Sequence, residues 1–216
     1  MNIAIDGPAG AGKSTIARKV AAKLGYIYVD TGAMYRTMAL FLLRNNVSAD
    51  DSETISRLCT VPDISIEYVD GEQVVTLDGE NVNGLIRTEE VGNMASASSV
   101  NGDVRKRLVA LQQQLAKKTS VVMDGRDIGT VVLPDAEVKV FLTASSKERA
   151  QRRYKELVAK GVTADINQIE ADIIERDERD MNRANSPLKQ ADDATFIDSS
   201  YMTIDEVVEE IIGLCK

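Results

Sequence analysis

The residues best suited to chemistry lie near the start of the chain. They form the segment Gly7-Pro8-Ala9-Gly10-Ala11-Gly12-Lys13-Ser14, which has the spacing G-x-x-x-x-G-K-[ST]. Glycines let the backbone curl so that its N–H groups converge on phosphate oxygens. The Lys13 ammonium would reach the outer phosphates, and the Ser14 hydroxyl would ligate Mg²⁺. The segment therefore predicts a binding site for a nucleoside triphosphate.

The elements on either side of this segment have the form that a phosphate-binding loop requires. Residues 2–6 are a short apolar run that predicts a buried strand, and residues 14–24 have a helical period that stops at Gly25. The amino end of that helix would add positive partial charge beside the phosphates. A glycine-rich turn that precedes a helix by chance is the alternative, but strand, loop and helix occur in the required order.

A second set of charged residues follows a predicted strand at residues 121–124. The strand ends in Asp124, and a strand-terminal carboxylate in a nucleotide-binding sheet can order Mg²⁺ directly or through water. Arg126 and Asp127 follow in a turn flanked by glycines, at the same end of the sheet as the phosphate loop. Charged side chains packed into such a turn are costly unless they are used, so we predict a functional role for both.

Two predicted helices carry further arginines. The first begins at the capping sequence 145–148 and ends at Gly161. Three of its arginines share one face: Arg149, Arg152 and Arg153. The second begins after Asp165, and its apolar face continues into charged residues in the order Ile166, Ile169, Ile173, Arg176, Asp180, Arg183. We interpret these helices as a lid over phosphates, with the lid region at residues 145–165; a solvated ladder of ion pairs is the alternative.

The pattern changes between residues 57 and 97. Alternating runs at residues 64–69 and 74–77, separated by the turns Asp70-Gly71 and Asp78-Gly79, predict a three-stranded antiparallel meander. Short helical pieces are expected at residues 86–90 and 94–96. Because the rest of the chain predicts a parallel sheet, we interpret 57–97 as an inserted subdomain. It is either a surface decoration or a mobile substrate clamp.

Two more arginines lie on predicted helices. Arg36 is one turn into a helix that Thr31 would cap, directly after a predicted strand at residues 26–30. Its place beside a strand end predicts contact with a ligand, and an exposed position at the surface is the alternative. Arg105 lies on a helix at residues 103–118, off the apolar stripe, and its spacing favours solvent.

The remaining elements complete the predicted fold. Further strands are expected at residues 137–142 and 194–198, and the last helix, capped at Thr203, is amphipathic. Strands that alternate with helices predict an α/β fold with a five-stranded parallel sheet flanked by helices. We expect one domain over residues 1–216, with the inserted meander and the helical lid as additions.

Composition limits the functions that remain. Hydrophobic residues make up 44% and charged residues 28% of the 216 residues, and no apolar run is long enough to span a bilayer. The net charge of −8 makes a long nucleic acid a poor partner, and the absence of histidine excludes imidazole base chemistry. The two cysteines are far apart and favour free thiols in a reducing cytosol.

No Asn-Lys or Thr-Lys pair is present to recognise guanine, as the GTP-dependent switch proteins do. A small-molecule kinase fits best, because phosphoryl transfer needs alignment and cations more than acid–base side chains.

Three segments resemble those of the bacterial cytidylate kinases. They are Asp30-Thr31-Gly32-Ala33-Met34-Tyr35-Arg36, residues 124–132 (DGRDIGTVV) and residues 175–183 (ERDERDMNR). The resemblance runs essentially end to end and includes the inserted segment, which would be a subdomain that binds the nucleoside monophosphate. It implies a monomeric, cytoplasmic kinase with a phosphate-binding-loop core. Such an enzyme uses ATP and Mg²⁺ to convert CMP or dCMP into CDP or dCDP.

The resemblance also implies roles for matching residues. ATP would be held by Gly7, Pro8, Ala9, Gly10, Ala11, Gly12, Lys13, Ser14 and Thr15, with Mg²⁺ on Ser14 and, through water, on Asp124. Arg36 and Arg126 would bind the acceptor phosphate, with Thr31 where the family carries Ser or Thr. Ser96, Arg105, Asp127 and Arg183 would read the base, and Arg176 and Asp180 would hold the sugar. Lys13, Arg126, Arg149 and Arg153 would act on the transferring phosphoryl group, with Arg152 as a further lid arginine.

The chemistry of the base agrees with these roles. The amino group of cytosine can donate a hydrogen bond to Asp127, and its N3 and O2 atoms can accept hydrogen bonds from Arg183 or Arg105. Uracil reverses both polarities, and a buried mispaired polar group costs about 1–3 kcal/mol, so a preference of about a hundredfold is expected. Two alternatives stay open from the residues alone. One is another small-molecule kinase that acts on UMP, AMP or a shikimate-like substrate, and the other is a non-catalytic, nucleotide-gated binding protein.

Overall fold

The computed structural model describes residues 1–69 and 72–215. The chain divides into two compact units. One unit contains Met1–Tyr28 and Ser120–Lys216 and is called the phosphate-loop unit below; the other contains Val29–Thr119 and is called the meander unit. Within the described residues, no helix has both the length and the apolar character needed to cross a membrane.

A five-stranded parallel sheet is the central element, as predicted. Its strands are β1 (Asn2–Asp6), β2 (Ile27–Asp30), β6 (Val121–Gly125), β7 (Val138–Thr143) and β8 (Thr195–Asp198), in the spatial order β2-β6-β1-β7-β8. In the register of β1 and β6, Ile5 pairs with Asp124 and Asp6 with Gly125. The carboxyl ends of these two strands, which carry the acidic residues, therefore lie side by side.

The phosphate-loop unit also contains α-helices. They are α1 (Lys13–Leu24), α6 (Ser146–Ala159), α7 (Ile166–Asn182) and α8 (Ile204–Gly213). The core joins buried residues of β1 and β7 to the apolar faces of α1 and α8, including Ile5, Val20, Leu142 and Ile211. Thr203 forms a complete capping box with Glu206 at the start of α8, as its sequence predicts.

The meander unit has its own core and its own sheet. Its helices are α2 (Thr31–Arg44), α3 (Ser52–Leu58), α4 (Glu89–Ser98) and α5 (Gly102–Ala116). The strands β3 (Ile64–Val69), β4 (Glu72–Leu77) and β5 (Glu80–Asn81) form the predicted three-stranded antiparallel sheet. Asp78 and Gly79 have φ values of 51° and 83°, which a tight hairpin turn requires. The predicted turn at Asp70-Gly71 lies outside the described residues.

Three local predictions differ from the structure. The helix cap at the end of β2 is Asp30, whose carboxylate accepts from the Ala33 N–H, while Thr31 is the first helical residue and is buried. The two short helical pieces expected around residues 86–96 are one helix, α4, because Thr88 caps it and its apolar face is buried. Ile128–Val132 forms a π-helical turn that the sequence did not predict.

Candidate active site

The phosphate loop has the backbone that its glycines predict. Gly7, Gly10 and Gly12 have φ values of 150°, 76° and 87°, and α1 begins directly after the last of them. A Cβ atom at Gly7 would lie 1.9 Å from the backbone oxygen of Leu142 on β7. Only glycine fits there, because both the dihedral angle and the space exclude a side chain.

Lys13 is held inside this loop. Its side chain leaves the residue only 5% exposed, and its ammonium donates a 2.7 Å hydrogen bond to the Pro8 carbonyl. Burial, with the nearby Arg126 charge as the second cause, holds the pKa of Lys13 well below its ordinary value. A bound polyphosphate would supply the negative charge that this buried ammonium needs.

Ser14, Asp124 and Tyr28 form an oxygen cluster at the start of α1. The Ser14 hydroxyl donates to one oxygen of Asp124 at 2.8 Å, and the Tyr28 hydroxyl donates to the other at 2.9 Å. Hydroxyl and carboxylate oxygens are the ligands that Mg²⁺ takes beside nucleotide phosphates. The pair predicted for the metal therefore fits it. Tyr28 was missed from sequence, where it reads only as a strand residue.

Two charged side chains that follow β6, Arg126 and Asp127, lie beside two at the end of α7, Asp180 and Arg183. Arg126 donates through Nε to Asp180 at 2.8 Å. The guanidinium of Arg183 lies 3.7 Å from Asp127 and 3.9 Å from Asp180, and its Nε donates to the Ser186 carbonyl at 2.6 Å. The structure thus brings together four of the residues that the sequence assigned to the acceptor nucleotide.

Arg176 does not occupy the inward position predicted for it. The buried face of α7 runs from Ile173 to Asp177 and Asp180, and Arg176 is exposed beside it. The helical period explains the correction, because the steps of four and seven residues from Ile173 end on aspartates. Arg176 nevertheless contributes to the electrostatic potential that lowers the pKa of Lys13.

The three arginines of α6 have different environments. Arg149 is buried, pairs with Asp177 at 2.6 Å and donates to the Ala9 carbonyl of the phosphate loop at 2.9 Å. Arg152 donates to the Ser199 carbonyl at 2.7 Å, with a longer contact of 3.5 Å to the Ala11 carbonyl of the loop. Arg153 points to solvent and pairs with Glu156. Two of the predicted lid arginines therefore contact the phosphate loop, and the third does not.

Asp6 is a buried carboxylate that sequence reasoning did not assign to the site. One of its oxygens accepts from the Ile128 N–H and the other from the Gly129 N–H, both at 2.7 Å. Burial raises the pKa of Asp6 to about 6, against these two hydrogen bonds, which lower it. A charged residue at the buried end of a strand beside the phosphate loop was the signal that could have identified it.

The meander unit contains a second cluster of charges, around Asp30. One oxygen of Asp30 pairs with Arg36 at 3.0 Å and with Arg87 at 3.5 Å. Gln73 on β4 accepts from the Asp30 N–H at 2.8 Å and so ties the backbone of Asp30 to the inserted sheet. Nε of Arg36 is buried and makes no hydrogen bond within the described residues. Two guanidinium groups converge here on one anionic oxygen, as they would on a phosphate.

Arg105 does not face solvent as its helical spacing suggested. It is 5% exposed, its guanidinium lies 5.6 Å from the centre of the Tyr35 ring, and it donates to the Ser99 carbonyl at 3.3 Å. The buried face of α5 extends beyond its apolar residues, because Tyr35 of α2 lies against the Arg105 guanidinium. Ser96, on α4, is half-buried.

Solved structures share this fold. An uncharacterized protein from Eubacterium ventriosum has a TM-score of 0.54 at 13% identity, with 99% of this chain and 96% of that chain covered. Shikimate kinase from Bacteroides thetaiotaomicron has a TM-score of 0.50 at 13% identity, with 100% and 98% covered. At these identities the likeness concerns the fold alone.

Sequence relatives are much closer. A protein named cytidylate kinase from Caldicellulosiruptor bescii is 52% identical over 214 residues, which cover 99% of this chain and 95% of the relative. Another of that name from Ligilactobacillus salivarius is 50% identical, with 100% and 96% covered. The family model described as cytidylate kinase matches residues 3–216. This chain belongs to the cytidylate kinase family.

Proposed function

We propose that the protein transfers the γ-phosphoryl group of ATP to CMP or dCMP, forming ADP and CDP or dCDP. The observation that carries the proposal is the pairing of a formed phosphate loop around Lys13 with the Asp127–Arg183 pair in the same unit. The first feature suits a polyphosphate donor, and the second suits a base that offers a donor and acceptors. We also propose that the enzyme is a monomer in the cytoplasm.

The donor site depends on alignment and charge. The loop N–H groups and Lys13 would bind the phosphates of ATP, and Arg149 and Arg152 would fix the loop through its carbonyls. Ser14 would hold Mg²⁺, with Asp124 behind it through water; the ion would neutralise charge on the phosphates. Arg126 carries its cation next to Lys13 and would stabilise the charge of the phosphoryl group in transfer.

Base selection would come from Asp127 and Arg183. The Asp127 carboxylate would accept from the cytosine amino group, and Arg183 would donate to the acceptors beside it. Asp180 and Arg176 would bind the sugar. Asp180 is already fixed by Arg126, so a sugar hydroxyl would meet a carboxylate that is held in place.

The meander unit would also bind the acceptor nucleotide. We propose that Arg36, on the same helix as Thr31, binds the phosphate of CMP in exchange for part of its contact with Asp30. Ser96 and Arg105 would bind the base. The buried guanidinium of Arg105 is held by Tyr35 and Ser99, so it can donate with little loss of side-chain entropy.

The test of the reaction is ADP production with CMP, dCMP, UMP and AMP side by side. CMP and dCMP should give turnover well above that of UMP, by about a hundredfold in kcat/KM, and AMP should give little. Equal turnover with UMP, or ATP binding with no acceptor-stimulated ADP release, would overturn the proposal.

Asp127→Ala tests the base-reading role. The variant loses the acceptor for the cytosine amino group, so kcat/KM for CMP should fall by at least about tenfold while the KM for ATP stays unchanged. Asp135→Ala, which removes an exposed aspartate from the same unit, is the control and should behave as wild type. CMP turnover near the wild-type value in Asp127→Ala would remove Asp127 from the site.

A further inference from the structure

The π-helical turn after Asp127 is capped by a residue from a distant part of the chain. The Ile128 and Gly129 N–H groups, which begin this turn, both donate to the Asp6 carboxylate at 2.7 Å. The first N–H groups of any helical turn have no partner inside the turn, so a buried turn needs an outside acceptor. Asp6 supplies it from the end of β1, next to the phosphate loop.

Asp127 holds the position from which an aspartate ordinarily does this work. It is the residue before the turn, and aspartates at such positions accept from N–H groups two or three residues later. Asp30, Asp51 and Asp165 all do so in this chain, with Ala33, Thr54 and Asn167 as their respective donors. Asp127 makes no such bond within the described residues, and its carboxylate is near Arg183 instead.

We propose that Asp6 is a positioning residue for base recognition: it caps the Ile128–Val132 turn in place of Asp127 and so leaves the Asp127 carboxylate for the nucleotide base. This inference rests on the proposed role of Asp127 in binding CMP. It assigns to the first strand, which leads into the ATP-binding loop, a function in choosing the acceptor.

The burial of Asp6 agrees with this role. A carboxylate that is only 5% exposed is expensive to keep, and burial raises its pKa to about 6. Two short hydrogen bonds from consecutive N–H groups are the main compensation within its surroundings. A neutral amide would cost less to bury but would accept from only one of the two N–H groups, whereas the carboxylate accepts from both.

Asp6→Asn is the first variant. Its amide oxygen accepts from one N–H group, but its amino group faces the other, which is then free to attract Asp127. We expect the KM for CMP to rise about tenfold and the preference for CMP over UMP to fall, with the KM for ATP unchanged within about twofold. Asp135→Asn is the control for a change of charge in the same unit.

Gly129→Ala crowds the same contact while keeping the Asp6 charge. The new Cβ would lie 3.3 Å from Lys139 Cδ and 3.4 Å from one Asp6 oxygen, at the limit of ordinary van der Waals contact, so it crowds the space between the turn and the carboxylate. We expect a smaller rise in the KM for CMP. This variant keeps the proposal testable if Asp6→Asn does not fold, which circular dichroism and a thermal melt would show.

The decisive measurement is a double-mutant cycle with Asp127→Ala. If Asp6 acts through Asp127, then adding Asp6→Asn, or Gly129→Ala, to Asp127→Ala leaves the KM for CMP unchanged. Additive increases, or a wild-type KM for CMP in both Asp6→Asn and Gly129→Ala, would overturn the role of Asp6. A wild-type KM for CMP in Asp127→Ala alone would instead overturn the proposed base reading, so the two failures are distinguishable.

Discussion

At the scale of single residues, buried charge marks the places where this chain does more than fold. Lys13, Asp6, Asp124 and Arg105 are all nearly inaccessible, although each is costly to bury. Their partners are mostly backbone groups or neighbouring side chains of the phosphate loop, the strand ends and the helix faces around them. Such arrangements fix the direction of a side chain, which a binding site needs more than a stable core does.

The raised pKa of Asp6 predicts a specific pH dependence of stability. Between its unfolded value of 3.8 and the native value of about 6, the native state holds a proton that the unfolded state has lost. The free energy of unfolding should therefore increase as the pH falls through 6, by roughly 2 kcal/mol between about pH 7.5 and about pH 4.5. Urea unfolding of wild type and Asp6→Asn at both pH values isolates this contribution as the change in their difference. A difference that is the same at both would contradict it.

Arg149 and Arg153 lie four residues apart on α6, but we expect their substitutions to lower stability by very different amounts. Arg149→Met leaves the Asp177 carboxylate buried without its cation, which should lower the free energy of unfolding by about 3–5 kcal/mol. Arg153→Met removes a solvent-exposed pair with Glu156 and should cost less than about 1 kcal/mol. Urea unfolding curves of the two variants give the comparison, and similar losses in both would show that Arg149 is not a structural centre.

At the scale of elements, the sequence predicts the strands, turns and helices that residues close together in the chain determine. Strand, glycine loop and helix occur in order around Gly7–Lys13, and the Asp-Gly turn at residues 78–79 closes a hairpin. The parallel sheet follows from strands that alternate with helices. Each of these depends on residues that are neighbours in the chain.

What the sequence could not predict depends on tertiary contacts. Arg105 is a charged residue that the sequence would place at the surface, yet it is buried against Tyr35 of α2. The helical period alone places Asp177 inward instead of Arg176, but the partner of Asp177, Arg149 on α6, is known only from the structure. The turn after Asp127 exists because Asp6, more than a hundred residues away in sequence, accepts its N–H groups.

The phosphate loop gives a prediction about a whole element. Gly7→Ala places a Cβ atom 1.9 Å from the Leu142 carbonyl oxygen, so the loop must leave β7. We expect kcat/KM for ATP to fall by about a hundredfold, because the N–H groups no longer converge on the phosphates.

Gly25→Ala is the matched control, since Gly25 also has a positive φ, 68°, but its Cβ would meet nothing within 4 Å. It should cost about 1–2 kcal/mol in stability and leave the KM for ATP unchanged. Steady-state kinetics and thermal melts of both variants would decide the matter; equal kinetic damage in the two would mean that backbone strain, and not the contact with Leu142, explains the effect.

At the scale of the whole molecule, the buried side chains of the described residues form two separate hydrophobic cores. The core of the phosphate-loop unit includes Ile5, Leu142 and Ile211, and that of the meander unit includes Met38 and Leu42. The meander unit is one continuous stretch of chain, whereas the phosphate-loop unit is formed by the two segments on either side of that stretch. Cores that share no residues are expected to lose structure with some independence.

We therefore expect Leu42→Ala and Ile211→Ala to destabilise different regions of the chain. Each removes a fully buried side chain from one core and should lower local stability by about 2–5 kcal/mol. Native-state hydrogen exchange should show faster exchange in residues 29–119 for Leu42→Ala and in the phosphate-loop unit for Ile211→Ala, because each cavity weakens the contacts of its own core. The two variants serve as controls for each other. Equal acceleration of exchange across the whole chain in both variants would contradict independent opening. It would mean that the two cores unfold as one cooperative unit, so that a cavity in either core would destabilise the nucleotide-binding elements equally.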